Sequence, residues 1–494
     1  MAYMKEDHIL PTIRITRAVL DNFKSVEHGE IDFQCGREFV PYGTKSDLLG
    51  IYGQNGSGKT ALIEALSILK CLIMGQEIDD IYADCLPNTE KSARIEFTFD
   101  LQYPDNKTRK AVYACSLKKE KMSEKRAQDY VRRKGEDSTE EIPFTHVVKV
   151  FDEVLSVGGD INGKKQKLQP VFDTSIGKPF GPKTKLNDWL MDGSAHFIDL
   201  EVNKRLAEER SQSFIFMEET ADILSEHGHY HPYYQVYIEL HLYCVEYLHV
   251  VDTKSSGIIR LNVGIPIYTS IGVINVRSFG ATKVPEPIYG ELTDSIKDIS
   301  DVLGQIVPGL SLKVNTVSDT TLKNGEKAKL FEIHSVRNGK EMPLRYESDG
   351  VRKIISELFL IIRAYSEQSA TVAIDEFDAG IFEYLLGELL QVFENSGKGQ
   401  FIFTSHNLRP LEVISRKAIY FTTTNPTNRY VRLKNISTTS NLRTTYFREI
   451  VLGGQDEELY AETQQYRIVE ALDNVAARMQ AYYEESEKAM EGAE

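Results

Sequence analysis

Residues 50–66, GIYGQNGSGKTALIEAL, constrain this chain more than any other stretch of it. SDLLGIYG has the apolar character of a short buried strand, and TALIEALSILKCLIMG repeats its apolar residues at helical spacing. Between them, Gly53-Gln54-Asn55-Gly56-Ser57-Gly58-Lys59-Thr60 satisfies G-x-x-x-x-G-K-[ST] at every fixed position. Glycines let the backbone wrap so that successive N–H groups, and the N-terminus of the next helix, point at phosphate oxygens. Lys59 would bring a point charge to the β and γ phosphates, and the Thr60 hydroxyl would ligate Mg²⁺. The competing reading is a chance glycine-rich turn. Strand before and helix after argue against it.

A second set of residues lies more than three hundred positions later. TVAIDEFD reads as a buried strand ending in Asp375 and Glu376. A strand that delivers carboxylates to the mouth of a site suits Mg²⁺ at Asp375 and a general base at Glu376. Alone the pair is weak, because many strands end in acids. Upstream, YESDGVRKIISELFL places Ser348, Asp349 and Gly350 at the start of a helix, where N–H groups and a hydroxyl can bind a second phosphate. Downstream, GQFIFTSHN ends another apolar strand at His406, 31 residues beyond Asp375, where an imidazole could meet a γ-phosphate. A plain serine N-cap and a surface histidine are the bland alternatives. Their order along the chain with the glycine loop favours the functional reading.

The remainder of the chain is less explicit. Residues 12–33 alternate like strands, and 92–118 read as two antiparallel strands around a Pro-Asp-Asn turn. The mixed basic run 118–137 reads as a solvated loop, with an acidic partner or nucleic acid as the functional alternative. From about 185 to 250 the pattern is helical without a sustained heptad, so no long coiled coil is expected there. His227, His229 and His231 alternate and would share a face on a strand, but no Cys or carboxylate at ligand spacing completes a metal site. Strands return at 257–276 and 311–346, the latter broken by the turns KNGE and RNGK. The last forty or so residues read as helix with an acidic end. With 58 basic against 73 acidic residues, a formal charge of −15, there is no global attraction to nucleic acid or anionic lipid. No apolar run approaches the ~20 residues of a membrane span, and the N-terminus lacks the apolar core of a signal peptide. Cys35, Cys71, Cys85, Cys115 and Cys244 have no paired spacing, which points to reduced thiols and a cytoplasmic setting.

The order of glycine loop, S-x-G helix, apolar-D-E strand and T-S-H strand resembles the ABC-type ATPase heads of the SMC and RecF group. LDNFKS, residues 20–25, resembles the opening strand of those heads. Among them the chain is most similar to stand-alone prokaryotic ATPases: the ATPase halves of OLD nucleases and the ATPase subunits of antiphage systems such as Septu and PARIS. The resemblance covers about 12–118 and 295–422, roughly half the chain. It implies an α/β P-loop NTPase with a mixed and parallel β core flanked by helices, plus an inserted α/β or mainly helical subdomain. It also implies that Ser348 and Gly350 form the signature, Asp375 and Glu376 the Walker B pair, His406 the switch histidine, and Asp378-Ala-Gly the D-loop. The transporter signature L-S-G-G-Q stands here as E-S-D-G-V, keeping only its S-x-G core. Gln102 is the only guess at a Q-loop glutamine and is left unassigned.

The implied partition is 1–118 for the first part of the head, 119–294 for a sensing insert, 295–425 for the second part and 426–494 for a helical extension. The implied mechanism is a head-to-tail homodimer that clamps ATP and Mg²⁺ between Lys59 of one copy and Ser348 of the other. The expected role is a nucleotide-switched sensor of antiphage defence, with a separate effector, possible DNA and no membrane; the alternative is DNA repair or recombination. Other classes fit less well. After His406 there is no D-x-D for a Toprim nuclease, and the one candidate N/T-K-x-D motif for a GTPase, Thr44–Asp47, precedes the glycine loop. A transporter subunit is disfavoured by the long insert, and a non-hydrolysing module by Glu376.

Overall fold

The computed structural model describes residues 10–33, 46–88, 91–124, 126, 145–190, 196–228, 232–252, 265–277, 280–434 and 441–491. His229, His231, Cys35, Thr44 and most of the basic run lie outside these residues; His227 falls on the helix Glu218–Gly228.

Two six-stranded sheets organise the chain. The core sheet runs in the order Tyr430–Val431, Ile419–Thr422, Asp47–Tyr52, Gln400–Thr404, Thr371–Ile374, Leu248–Val251. Every neighbouring pair is parallel except the first. Its central strands are buried along their whole length, as parallel strands covered on both faces must be, which explains their continuous apolar runs. The second sheet is antiparallel, in the order Val26–Asp32, Thr12–Phe23, Ala93–Gln102, Thr108–Lys121, His146–Ile161, Lys164–Asp173.

Between the sheets lies the helix Lys59–Ile73, with twelve of its fifteen residues buried. A helix covered all round reads as apolar all round, and its few polar side chains need partners. Glu64 takes an ion pair from Lys24 at 2.6 Å, and Ser67 hydrogen-bonds Asp252, which also accepts from the Tyr82 hydroxyl at 2.5 Å. Lys24 belongs to the NFKS stretch, where Asn22 and Lys24 take positive φ and turn the chain toward this helix.

Within 119–294, the strands of 146–173 continue the antiparallel sheet and four helices follow between 183 and 246. Leu248–Val251 is an edge strand of the core sheet, and Ile265–Thr269 with Gly272–Val276 forms a hairpin. A further sheet, Thr282–Pro285, Lys327–Arg337, Leu310–Thr321 and Lys340–Pro343, packs with the helix Glu286–Ile306. RNGK turns with Asn338 and Gly339 both at positive φ, the backbone that a two-residue hairpin favours. The expected fold class, a mixed and parallel α/β core flanked by helices with inserted α/β material, is the one observed.

Arg14 ties the halves of the chain together. It is 1% exposed, donates to the carbonyls of Ala370 (3.5 Å) and Lys398, and approaches Asp47 at 3.5 Å. Arg14→Met would remove this donor from Lys398 O and Asp47, while Ala370 O keeps the Gln400 N–H, so we expect a loss of roughly 1–2 kcal/mol of stability. A denaturation midpoint equal to that of the parent would show that the bridge contributes nothing.

Candidate functional site

In a parallel sheet, loops beyond the carboxyl ends of the strands converge on one edge. Here the strands Asp47–Tyr52, Thr371–Ile374 and Gln400–Thr404 lie in register, so residues 53–60, 375–380 and 405–407 emerge together. They enclose a cleft of about 490 Å³ lined by Asn55, Gly56, Lys59, Thr60, Asp375, Glu376, Asp378, Ala379, Thr404 and His406.

The glycine loop adopts the backbone its composition foreshadows. Gly53, Gly56 and Gly58 have φ of 152°, 76° and 96°. A Cβ on Gly53 would stand 1.8 Å from Thr422 Oγ1, so the close approach of that strand also requires glycine. Gly58 caps the helix Lys59–Ile73, which has no side-chain cap and no acid in its first turn. Its leading N–H groups and positive dipole end therefore suit an anion. Lys59 Nζ donates to the carbonyls of Gly53 (2.9 Å) and Gln54 (3.0 Å). Burial pulls its pKa below the ordinary lysine value, against the opposing pull of Asp375, Glu376 and Asp378.

The carboxylate side is held from several directions. Asp375 Oδ1 accepts from Thr404 Oγ1 at 2.5 Å and from Thr60 Oγ1 at 3.3 Å. Glu376 has φ of 50°, a left-handed backbone uncommon for a residue with a side chain. Its N–H donates to Thr404 Oγ1 (2.8 Å) and its carbonyl accepts from Lys353 Nζ (2.5 Å). His406 is exposed, and its N–H donates to Asp378 Oδ2 at 3.0 Å, as does that of Asn407 at 2.9 Å.

Of the residues anticipated from sequence, Asn55, Gly56, Lys59, Thr60, Asp375, Glu376 and His406 come together around this cleft. Gly53, Gln54, Ser57 and Gly58 shape the loop from behind. Ser57 Oγ bonds Thr422 Oγ1 and donates to Gln54 O at 2.5 Å, while the Gln54 side chain pairs with the backbone of Ala461 (3.0 and 3.4 Å). Ser348 and Gly350 are not in the lining. Ser348 caps the helix Asp349–Ser366, accepting from Val351 N at 3.4 Å. Gly350 packs on the turn of Gly380, whose carbonyl would lie 2.2 Å from an added Cβ. Gln102 pairs with Thr12 and Thr108 in the antiparallel sheet, away from the cleft lining. Thr404 and Lys353 were missed. Thr404 stood in view as the first residue of T-S-H, but its role depends on register with the neighbouring strand, and Lys353 is one of many helix lysines in sequence.

Parallel sheet, glycine loop and carboxylate pair on one edge define a P-loop nucleotide-binding ATPase. The AAA ATPase domain family matches residues 14–409, and the chain belongs to it. No curated protein matches the sequence. Among solved structures, an SMC head bound to the C-terminal winged-helix domain of ScpA aligns at 13% identity, with 85% of this chain and 97% of that one covered and a TM-score of 0.41. The SMC head domain of Thermotoga maritima aligns at 16% identity over 85% and 100% of the two chains, TM-score 0.34. A RecF recombination mediator bound to an ATP analogue aligns at 13% over 82% and 95%, TM-score 0.30. Among the described residues no helix is long and apolar enough to cross a membrane, and no cluster of three or more His, Cys, Asp or Glu could hold a metal.

Thr404→Val would remove the hydroxyl that holds both Asp375 and the Glu376 N–H. We expect the ATPase rate to fall at least roughly tenfold, the scale of a lost positioning contact, with ATP affinity within about threefold of the parent by nucleotide titration. A parental rate would show that these hydrogen bonds do not matter to turnover.

Proposed function

We propose that the chain is a Mg²⁺-dependent, ATP-hydrolysing switch of the SMC/RecF/OLD-like ABC type. One observation carries the reading: the Thr60 hydroxyl and the Asp375 carboxylate, 315 residues apart in sequence, stand 3.3 Å from each other beside Lys59. Both are hard oxygen donors. One hydroxyl and one carboxylate, with phosphate oxygens and water, make the set that Mg²⁺ prefers, and no all-protein cage is needed. Bound there, the ion would neutralise charge on the phosphates as they are transferred.

The remaining roles follow from position. The Gly53–Gly58 loop and the N-terminus of Lys59–Ile73 hold the phosphates, and Lys59 adds a point charge. Glu376, held by its backbone at the cleft mouth, orients and deprotonates the attacking water. His406, fixed through Asp378, contacts the γ-phosphate. Ser348 and Gly350 lie outside their own chain's cleft, which suits a role in completing the site of a second copy in a head-to-tail sandwich. The Gly350–Gly380 contact would carry that event to the Asp378 turn, and so to His406.

For its setting we assign a sensor subunit of an antiphage system acting with a separate effector, the helical part of the 119–294 insert serving as the reading surface and DNA as a candidate trigger. The support is an insert that stands where SMC proteins carry a long coiled coil. Co-purification from the native host with and without ATP tests it. An associated nuclease or toxin is the expected result; recombination factors would favour repair.

Two variants test the chemistry. Lys59→Ala should abolish ATP binding in a nucleotide titration, and unchanged affinity would refute the phosphate cradle. Glu376→Gln should keep ATP bound, lower turnover at least about a hundredfold and strengthen nucleotide-dependent association between copies. Hydrolysis at the parental rate would refute the general-base assignment.

A further inference from the structure

The helix Gln465–Glu491 is set apart from the rest of the fold. Every residue from 465 to 483 is exposed. Yet Ile468, Leu472, Val475, Met479 and Tyr482 recur at spacings of four, three, four and three, with Val469, Ala476 and Tyr483 alongside. The large apolar members of this stripe are 45 to 72% exposed. A single helix face of this kind in water is an unfinished interface, and a 3.5-residue period is the signature of a second helix packed against it.

The base of the helix is anchored. Leu459 is 3% exposed, Glu457 accepts from Asn425 (3.0 Å) and Asn428 (2.9 Å), and Ala461 exchanges two hydrogen bonds with Gln54 of the glycine loop. The stripe is thus presented from a fixed point beside the nucleotide cleft.

We propose that this helix is a homodimer interface, pairing antiparallel with the same helix of a second copy whether or not nucleotide is bound. The stripe is self-complementary about a two-fold axis. Aligned antiparallel, Leu472 meets the partner's Tyr482 and Val475 meets the partner's Met479, while Val469 and Tyr483 close the flanks of the seam. Size selects this direction over the parallel one: it sets the smaller Leu472 and Val475 against the larger Tyr482 and Met479, where parallel pairing would set Tyr482 against its own copy. Burying the eight side chains removes on the order of 800 Å² per copy, the size of a standard specific interface. The partner is a second copy because the one stripe supplies both halves of the seam and because that area is enough for a dimer. This dimer is separate from the ATP sandwich proposed above, which uses Ser348 and Gly350.

The test uses the full chain at about 10 μM without nucleotide, a concentration at which a dimer with a Kd of about 1 μM is populated. Light scattering after size exclusion should give twice the chain mass for the parent. The double variant Leu472→Glu/Met479→Glu should give the single-chain mass, with unchanged circular dichroism and ATP affinity. A monomeric parent overturns the proposal, as does a variant that keeps the dimer mass. Direction is read by cross-linking under mild oxidation. Val475→Cys/Met479→Cys should form inter-chain disulfides above the parental background and Leu472→Cys should not; an inter-chain disulfide at Leu472→Cys overturns the antiparallel arrangement. A nucleotide-dependent dimer that survives in the glutamate variant with Glu376→Gln added would distinguish the sandwich from this interface, so either can fail alone.

Discussion

One carboxylate oxygen, Asp375 Oδ1, stands where three segments of the chain meet. It receives the hydroxyl of Thr404 from the adjacent strand and that of Thr60 from the first turn of the glycine-loop helix. Because Thr404 also takes the N–H of Glu376, one threonine sets both acidic side chains. A charge-assisted hydrogen bond in a partly buried site is stronger and more directional than its surface equivalent. Asp375 is 5% exposed, so the arrangement is geometrically tight. The catalytic edge is therefore a property of the sheet register, transmitted through a hydroxyl rather than through loop packing.

That register is defended from below. The helix Lys59–Ile73 lies between two sheets, and each polar group that it carries into the interior meets a partner from a different element: Glu64 from the NFKS turn, Ser67 from the end of the edge strand. Tyr430 donates to Gly58 O at 2.8 Å, and Arg429 bonds the carbonyls of Thr423 and Ser25, each at 2.5 Å. A buried polar group without a partner costs more than the bond contributes, so these pairings specify one seating of the helix. On the other side, Lys353 links the helix that begins at Ser348 to the carbonyl of Glu376, and Gly350 touches Gly380. An event at Ser348 can reach the cleft through these two contacts.

Much of the fold was legible because burial on both faces of a parallel sheet leaves an unmistakable trace. SDLLGIYG, TVAIDEF and QFIFTSH stand out as apolar runs, and all three are central strands. Leu248–Val251 was not legible as a member of that sheet. LHVV is four residues long and directly follows the helix Pro232–Glu246, so its pattern merges with the helical one. The same limit applies to His146–Ile161, whose alternation is clear only once it has a neighbour. The apolar stripe of the last helix was present in the sequence too, but periodicity alone does not say whether a stripe faces a core or water.

For the site, local chemistry was readable and relative placement was not. Gly53 to Thr60 declare a phosphate cradle because only glycine tolerates those φ values and the strand at Thr422, and Asp375 with Glu376 declare carboxylates at a strand end. The amino-acid order cannot state that Thr404 bridges the acids, that Lys353 bonds the Glu376 carbonyl, or that Ser348 and Gly350 stand outside the cleft of their own chain. Each of those is a contact between segments brought together only by strand pairing and helix packing. Propensity and spacing act over a few residues, whereas hydrogen-bond partners hundreds of positions apart are chosen by the tertiary fold.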